Sequence, residues 1–255
     1  MDLAHAIHLG DQELVSFVGA GGKKTSMARL AEQGQGTCRV GYTTTTHMPP
    51  PEAFTIVVDK PAEISDRIEA TATAADPIAF ASKRIENPAR VDAKVNGFDP
   101  GTIDSIYESG RLDWILVKAD GARMREFKAP GAGEPVVPSR TTLLVPVVSA
   151  KIFGTTLSEE AVHRPERVAD IAEIQLGAEV TPEIVGAVIA DDLGGLKDAP
   201  STARVIPMIN KADGPESQEL AQGALKSAFS RTNRFEAGLV TSFEADFIER
   251  ISPSN

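Results

Sequence analysis

The length, composition and charge of the chain limit the kinds of protein that it can be. It has 255 residues, of which 42% are hydrophobic and 24% are charged, and its formal net charge is −10. This size suits one α/β domain, and the acidic balance argues against indiscriminate binding to nucleic acid or to anionic membranes. Because Cys38 is the only cysteine, an intrachain disulfide is excluded and a reducing, cytoplasmic location is expected.

The first predicted elements are a short helix at 2–9, a strand at 14–18 and a helix that ends near Gln33. The loop between this strand and the second helix is rich in glycine and ends in two lysines and a threonine. Its residues are Gly19, Ala20, Gly21, Gly22, Lys23, Lys24 and Thr25. Strand, glycine-rich loop and helix in this order are typical of a phosphate-binding loop, in which backbone amides and the helix N-terminus face an anion.

We therefore predict that these seven residues bind phosphate. Lys23 is the predicted catalytic lysine that reaches the outer phosphates, and the hydroxyl of Thr25 is a predicted ligand of Mg²⁺. The spacing from Gly19 to Thr25 is shorter than the usual G-x-x-x-x-G-K-[ST] pattern and resembles the loop of the Mur ligases. A glycine-rich turn without a ligand is the alternative interpretation.

A run of threonines follows the second predicted strand, which covers 38–43. Thr45, Thr46 and His47 come at its carboxyl end and are candidate accessory residues that orient Mg²⁺ or an attacking water. The alternative is an ordinary β-branched strand end. The next predicted elements are a strand at 54–59, a helix at 61–72, a strand at 77–81, a hairpin or small excursion at 82–97 and a helix at 99–110.

The strand at 114–117 leads directly into Asp120. A carboxylate at the carboxyl end of a buried strand is where phosphate-loop proteins hold Mg²⁺, so Asp120 is predicted to be both a catalytic residue and a metal ligand. A long loop at 121–140 follows, in which Arg123, Arg125 and Lys128 could meet a phosphate or a second anionic ligand. A solvated basic loop is the alternative.

The second half of the chain contains a second recognition motif. We predict strands at 141–148, 204–209 and 235–241, helices at 157–174, 181–192 and 214–229, and a polar tail. Asn210, Lys211 and Asp213 follow the strand at 204–209 and form the N-K-x-D pattern that reads guanine in GTPases. The Asp carboxylate would accept hydrogen bonds that guanine can donate and adenine cannot. An Asn/Asp turn after an edge strand is the alternative.

Strands that alternate with helices and are apolar throughout predict the fold class. We expect an α/β protein with a mainly parallel sheet and helices on both faces, a three-layer sandwich of the P-loop NTPase type. The whole chain, 1–255, is predicted to be a single nucleotide-binding domain, with a loop excursion at 121–140 and a helical insert at about 155–200.

Taken together, these motifs resemble the YqeC family. The resemblance rests on the segments 17–23, 43–48, 119–121, 128–130, 134–136, 163–166 and 210–213. Arg164, at the predicted start of a helix, is a further accessory residue that could reach a phosphate or a neighbouring subunit. Members of the family are described as accessory proteins of selenium-dependent hydroxylases, which implies a molybdenum hydroxylase or its cofactor as partner. Lys24 and Lys118 depart from the family pattern, which usually has threonine and glutamate there.

Three functions are consistent with the sequence. The first is Mg²⁺-dependent binding and slow hydrolysis of a purine nucleotide, GTP rather than ATP, by an accessory factor for such a hydroxylase. The second is an ATP-dependent kinase or ligase that acts on a small acceptor. The third is a nucleotide-gated cofactor carrier or chaperone with little hydrolysis.

Overall fold

A computed structural model describes residues 1–85 and 94–253 of the chain. The strands of this part are β1 (Glu13–Gly19), β2 (Val40–Thr44), β3 (His47–Met48), β4 (Thr55–Val58), β5 (Ile78–Ala81), β6 (Lys83–Ile85), β7 (Lys94–Asn96), β8 (Trp114–Lys118), β9 (Phe127–Lys128), β10 (Leu143–Ser149), β11 (Val162–His163), β12 (Arg204–Val205), β13 (Met208–Asn210), β14 (Gly238–Ser242) and β15 (Phe247–Ile251). The α-helices are α1 (Leu3–Ala6), α2 (Lys23–Gly34), α3 (Pro61–Thr71), α4 (Pro100–Glu108), α5 (Pro165–Ala172), α6 (Pro182–Ala190) and α7 (Pro215–Phe229).

The main sheet runs in the order β15-β14-β13-β10-β1-β8-β2-β5-β4, and β12 also pairs with β10. Every pairing in it is parallel except that of β15, which is antiparallel to β14. Two small sheets, β9 with β11 and β3 with β7 and β6, lie outside it. The predicted α/β class with a mainly parallel sheet is confirmed.

Helices cover both faces of the sheet. In β10, Val145 and Val147 belong to an apolar cluster with Met27 and Leu30 of α2. Val148, which faces the other way, packs in a cluster that contains residues of α5, α6 and α7. A third cluster joins the isoleucines of α3 and α4 to β5 and β8. Because successive side chains of a strand point to opposite faces, the sheet is the middle of three layers, as predicted.

The carboxyl ends of the central strands meet at one edge of the sheet. Gly19, at the end of β1, lies opposite Val147 of β10, and Ser149 of β10 lies opposite Asn210 of β13. On the other side of β1, Phe17 lies opposite Lys118, the last residue of β8. The chain leaves β1 towards β2 and later crosses from β8 to β10. Strands are therefore added first on one side of β1 and then on the other. Ligands bind at such a switch point in open α/β sheets.

Two predicted elements were wrong. The segment 157–174 was expected to be mostly helical, but only Pro165–Ala172 is a helix, because Val162–His163 pairs with β9 instead. The polar tail contains a strand, β15, in which Phe247 and Ile251 pack against one apolar cluster and Ile248 against another. Such alternation is the mark of a strand with two covered faces.

Other boundaries differ in detail. The predicted strand at 204–209 is two strands, β12 and β13, because Pro207 interrupts the ladder. The predicted excursion at 82–97 includes β6 and β7, which pair with each other, while 86–93 lie outside the described residues. The predicted insert at about 155–200 contains α5 and α6, and the single-domain organisation stays a prediction. Among the described helices, none has the length and apolar character needed to cross a membrane.

Candidate functional site

The glycine-rich loop between β1 and α2 folds tightly against the end of β10. Gly19, Gly21 and Gly22 have φ angles of 88°, 87° and 137°, which L side chains rarely adopt. A Cβ atom at Gly19 would overlap the backbone oxygen of Val147, and one at Gly21 would overlap Ser149. The sequence places glycine here because only glycine fits both the conformation and the close approach of the two backbones.

Lys23 begins α2 and turns back over the loop. Only 5% of the residue is exposed, and its Nζ donates a hydrogen bond to the carbonyl of Gly19 and lies 2.9 Å from Oδ1 of Asp120. Burial lowers the pKa of Lys23, and the opposing pull of Asp120 does not fully offset it. The amine of the lysine that is predicted to bind phosphate therefore lies over the glycine-rich loop and is held there by the carboxylate of Asp120.

Asp120 is 1% exposed and is surrounded by donors. Its Oδ2 accepts a hydrogen bond of 2.8 Å from the amide of Gly19 and lies 2.9 Å from Nζ of Lys128. Burial opposes its ionisation, but Lys23 and Lys128 outweigh burial and hold the pKa of Asp120 below its ordinary value. Asp120 therefore links the segment after β8 to the glycine-rich loop, through Gly19, and to Lys128 of β9.

Lys128 connects this carboxylate to a second one. Its Nζ donates to the carbonyl of Gly121 at 2.7 Å and to Oε2 of Glu134. The other oxygen of Glu134 accepts a hydrogen bond of 2.6 Å from Nη2 of Arg164. The chain of contacts Asp120, Lys128, Glu134 and Arg164 therefore links the glycine-rich loop to the start of α5.

Lys118 is a third buried lysine near Asp120. It is 9% exposed, and its Nζ donates to Oγ1 of Thr46 and to the carbonyl of His47, both at 3.0 Å. Burial lowers the pKa of Lys118 to about 8, and repulsion from Lys23 adds to this effect. A site with three lysines around one carboxylate carries an excess of positive charge that favours an anionic ligand.

The candidate threonines make contacts within the protein. Oγ1 of Thr45 donates to the carbonyl of Val136 at 2.7 Å, and Oγ1 of Thr46 lies 3.1 Å from Oγ1 of Thr44. His47 is exposed. These hydroxyls join the end of β2 to the loop after Asp120, and their predicted role towards Mg²⁺ or water stays a prediction.

The N-K-x-D segment lies against the glycine-rich loop. Asn210 is 3% exposed, and its Nδ2 donates a hydrogen bond of 3.1 Å to the carbonyl of Gly21. Its Oδ1 accepts one of 2.9 Å from Oγ1 of Thr241, at the end of β14. The amide of Asn210 thus holds two loops together that are far apart in the sequence.

Asp213 lies at the same edge and remains partly accessible. Its side chain is 36% exposed, Oδ1 accepts a hydrogen bond of 2.7 Å from Ser242, and Oδ2 lies 3.4 Å from Nζ of Lys151. Nζ of Lys211 contacts both carboxylate oxygens of Glu126, at 2.7 and 2.8 Å. Asp213 therefore keeps exposed surface for a ligand, while the end of the Lys211 side chain is tied to the protein.

The structure brings some predicted residues together and leaves others apart. Lys23, Asp120 and Asn210 all contact the glycine-rich loop. Lys24 and Thr25 are exposed on the first turn of α2, and neither side chain makes a hydrogen bond within residues 1–85 and 94–253. Arg123 and Arg125 lie in a separate cavity with Arg164, farther along the same face.

A metal site made by the protein alone is not present in the described part of the chain. No group of three or more His, Cys, Asp or Glu side chains there could hold a metal ion. Mg²⁺ usually takes only one or two protein oxygens and completes its shell with water and phosphate. Oδ1 of Asp120 is buried and accepts no well-aligned hydrogen bond from the described residues, so one carboxylate oxygen fits that limited role.

Comparison with known proteins shows the family of the chain. A family model described as "YqeC protein" matches residues 15–166. The chain is also 33% identical over 214 residues to "Uncharacterized protein YqeC" of Escherichia coli (strain K12), which covers 82% of this chain and 80% of that protein. The chain belongs to the YqeC family. The family match includes the glycine-rich loop, Asp120, Lys128, Glu134 and Arg164, and it ends before Asn210.

The two lysines that the sequence analysis expected to differ from the family pattern, Lys24 and Lys118, have different environments. Lys24 is exposed, so its charge is screened by solvent. Lys118 is buried and donates to residues that follow β2, so its charge acts on the site directly. Of the two departures, Lys118 is therefore the one that changes the electrostatics around Asp120.

Sequence reasoning missed two residues that support the site. Thr241 and Ser242 end β14 and donate to Asn210 and Asp213. The signal was available, because polar residues at the carboxyl end of a buried parallel strand face the same edge as those of its neighbours. The partners of Lys211 and Lys128, Glu126 and Glu134, were placed in the long loop without assigned contacts. Their pairing depends on how that loop folds back onto the sheet.

Proposed function

We propose that this member of the YqeC family binds a purine nucleotide, GTP rather than ATP, and hydrolyses it slowly. In this proposal the loop amides and Lys23 hold the phosphates, and Asp213 reads the guanine base. The location of the two motifs at one edge of a parallel sheet supports the proposal, because nucleotides bind at such edges.

One observation carries the proposal. Nδ2 of Asn210 donates to the carbonyl of Gly21, so the N-K-x-D segment and the phosphate-type loop are in direct contact. The two residues are 189 positions apart in the chain. A four-residue motif is common by chance, but a chance motif has no reason to be fixed against a glycine-rich loop by a buried side chain.

The phosphates would replace the present partners of Lys23. Without a ligand its Nζ contacts the Gly19 carbonyl and Asp120. A phosphate group offers Lys23 a charged acceptor at the N-terminus of α2, which also favours negative charge. Asp120 would then have one oxygen free, and with Thr25 it would hold Mg²⁺, which neutralises charge on the outer phosphates when bound.

Hydrolysis is expected to be slow, because the described residues around the loop offer no glutamine or arginine that could position water or stabilise the transferred phosphate. Phosphoryl transfer depends on such positioning and charge neutralisation. The accessory role towards a molybdenum-containing, selenium-dependent hydroxylase rests on the family resemblance, and GTP-dependent co-elution with such a hydroxylase would test it.

Exchange of the base-reading acceptor tests the proposal directly. Asp213→Asn replaces a carboxylate acceptor by an amide that can also donate. Guanine, which has an exocyclic amine there, should bind about 100-fold more weakly, while xanthine, which has an oxygen there, should gain affinity. The measurement is competition of GTP, XTP and ATP against a fluorescent nucleotide. Asp213→Ala is the variant whose side chain can neither accept nor donate a hydrogen bond.

A matched control separates base reading from folding. Asp11→Asn makes the same chemical change at an exposed position before β1, at the end of that strand opposite the glycine-rich loop, and should leave all three affinities within about twofold of the unchanged protein. Equal loss of GTP and ATP in Asp213→Asn would show that this segment does not read the base. If Lys23→Ala weakens the binding of no nucleotide, the proposal fails altogether.

A second candidate, an ATP-dependent kinase or ligase, is favoured by one observation. A polar cavity lined by arginines lies next to the site and could receive an acceptor. This candidate requires a preference for ATP and release of ADP only when the acceptor is present. GTP binding without turnover would instead favour the cofactor carrier.

A further inference from the structure

A polar cavity lies at the far end of the chain of contacts that runs from Asp120 through Lys128 and Glu134 to Arg164. Its volume is about 300 Å³, and it opens between the first part of the 121–140 loop and the start of α5. Its lining residues are Arg123, Arg125, Glu159, Val162, His163, Arg164, Pro165 and Glu166. Three guanidinium groups and an imidazole therefore converge on one concave surface, against two carboxylates.

Two polar atoms of this wall are buried without a partner. Within residues 1–85 and 94–253, neither Nδ1 of His163 nor Nη1 of Arg164 has a hydrogen-bond partner. Burying such groups unpaired is unfavourable, and native proteins rarely leave them so. Both atoms are closed off from solvent, so they do not open onto the cavity, and an anion would instead reach the exposed quarter of the Arg164 side chain.

The electrostatic environment of the cavity is positive. Burial lowers the pKa of His163, and the charges of Arg164 and Lys128 lower it further. A neutral imidazole can donate one hydrogen bond, which adds to the donors of the arginines. The start of α5 also faces the cavity, and no side chain caps it. All these features favour an anion.

The cavity is connected to the glycine-rich loop by a chain of three ion pairs. β11, which carries His163, pairs with β9, which carries Lys128. Glu134 accepts hydrogen bonds from both Lys128 and Arg164, and Lys128 also contacts Asp120. Glu134 and Lys128 therefore lie between Arg164 of the cavity and Asp120 at the loop.

We propose that this cavity binds the phosphate monoester group of a second small molecule, held by Arg123, Arg125, Arg164 and His163. Several guanidinium groups and an imidazole present more donors than the two oxygens of a carboxylate can accept, whereas a phosphate has three oxygens and matches guanidinium geometry. Its meaning as an acceptor site rests on the proposed nucleotide function, but the anion binding itself does not.

The test uses inorganic phosphate as the probe and follows the histidine signals of the full-length protein by NMR, with His163→Gln to assign the signal of His163. Phosphate should shift that signal in the unchanged protein and equally in Lys23→Ala, which removes the lysine of the glycine-rich loop. In Arg123→Gln/Arg125→Gln the affinity for phosphate should fall by about tenfold or more. Acetate should bind more weakly than phosphate.

A matched control removes two positive charges elsewhere. Lys226→Gln/Arg231→Gln changes the exposed end of α7 and should leave phosphate binding within about twofold. The proposal is overturned if Lys23→Ala abolishes the shift, if the cavity variant binds phosphate as the unchanged protein does, or if acetate binds as tightly. GTP binding is measured on the same variants. If GTP fails to bind while the phosphate results hold, only the nucleotide proposal fails.

Discussion

At the scale of single residues, the candidate site consists of charged side chains that are buried. Lys23, Lys118 and Lys128 lie around Asp120, and all four residues are at most 9% exposed. Glu134 also pairs with Lys128 but is shared with Arg164, so two carboxylates face four cations and an anionic ligand would relieve the repulsion between them. The net charge of the whole chain is −10, so the positive site is local and contrasts with its surroundings.

Lys118→Met should change the pH dependence of stability. The pKa of Lys118 is about 8 in the folded protein and 10.5 ordinarily, so between these values the unfolded chain binds more protons. The contribution of Lys118 to the free energy of unfolding therefore rises with pH, by about 3 kcal/mol at most. In urea unfolding, the free energy of unfolding of the unchanged protein relative to that of Lys118→Met should be greater at pH 10 than at pH 7.

The control for this prediction is Lys226→Met, which removes an exposed lysine from α7. Its difference from the unchanged protein should be the same at both pH values, because an exposed amine is solvated in both states. If the difference between Lys118→Met and the unchanged protein is also independent of pH, Lys118 is not held in the environment described here.

Gly21→Ala should be far more damaging than Gly36→Ala, although both glycines have φ angles near 85°. At Gly36 no atom lies within 4 Å of an added Cβ, so only backbone strain of about 1 kcal/mol is expected. At Gly21 the Cβ would also overlap Ser149, which adds on the order of 2 kcal/mol. Urea denaturation gives both values, and equal losses would mean that the loop does not lie close to β10.

At the scale of elements, the carboxyl end of β14 supports the loop after β13. Thr241 and Ser242 are fully buried, and their hydroxyls donate to Asn210 and Asp213. The glycine-rich loop, which Asn210 contacts, therefore depends indirectly on β14, which lies three strands away from β1 in the sheet. The arrangement fixes the segment that is proposed to read the base, and a segment already in place lowers the ordering cost of binding.

Thr241→Val tests this support. The valine has nearly the same shape but leaves Oδ1 of Asn210 buried without a donor, which should lower the free energy of unfolding by about 2 kcal/mol. The affinity for GTP should fall as well, because Asn210 is less firmly placed. Thr241→Ser keeps the hydroxyl and should retain the affinity. Loss of affinity in both variants would indicate packing rather than the hydrogen bond.

At the scale of the whole molecule, β15 protects one end of the sheet. It pairs along the full length of β14, and Nε of Arg250 donates to the carbonyl of Ala6 at 3.1 Å. Without β15, the backbone groups of β14 would be open to pairing with another chain. β15 itself carries Glu249 and Arg250, and charged side chains on an edge strand discourage such pairing.

A chain that ends after Asp246 should therefore be less stable and should self-associate. It loses the packing of Phe247, Ile248 and Ile251 and exposes the edge of β14. Light scattering coupled to gel filtration measures the association, and a chain that ends after Pro253 is the control. A shortened chain that stays monomeric and loses less than about 0.5 kcal/mol would contradict this role of β15.

The sequence alone was enough to predict the parallel α/β sheet, the glycine-rich loop and the positions of Asp120 and Asp213 near its edge. These features are local, because apolar runs, glycine spacing and polar residues at strand ends are read from neighbouring positions. β11, which lies in the 157–164 segment, and β15 were missed because their pairing depends on residues far away in the sequence. Each is a strand that exists only because another strand lies beside it, β9 in one case and β14 in the other.

Only the tertiary structure decided which side chains meet. The motif of Asn210 and the loop of Gly21 are each visible in the sequence, but their hydrogen bond spans 189 residues and depends on the strand order. The same holds for the contacts of Glu134 with Lys128 and Arg164, which create the link to the arginine-lined cavity. Local patterns specify elements, whereas burial and charge in a site arise from chain segments that folding brings together.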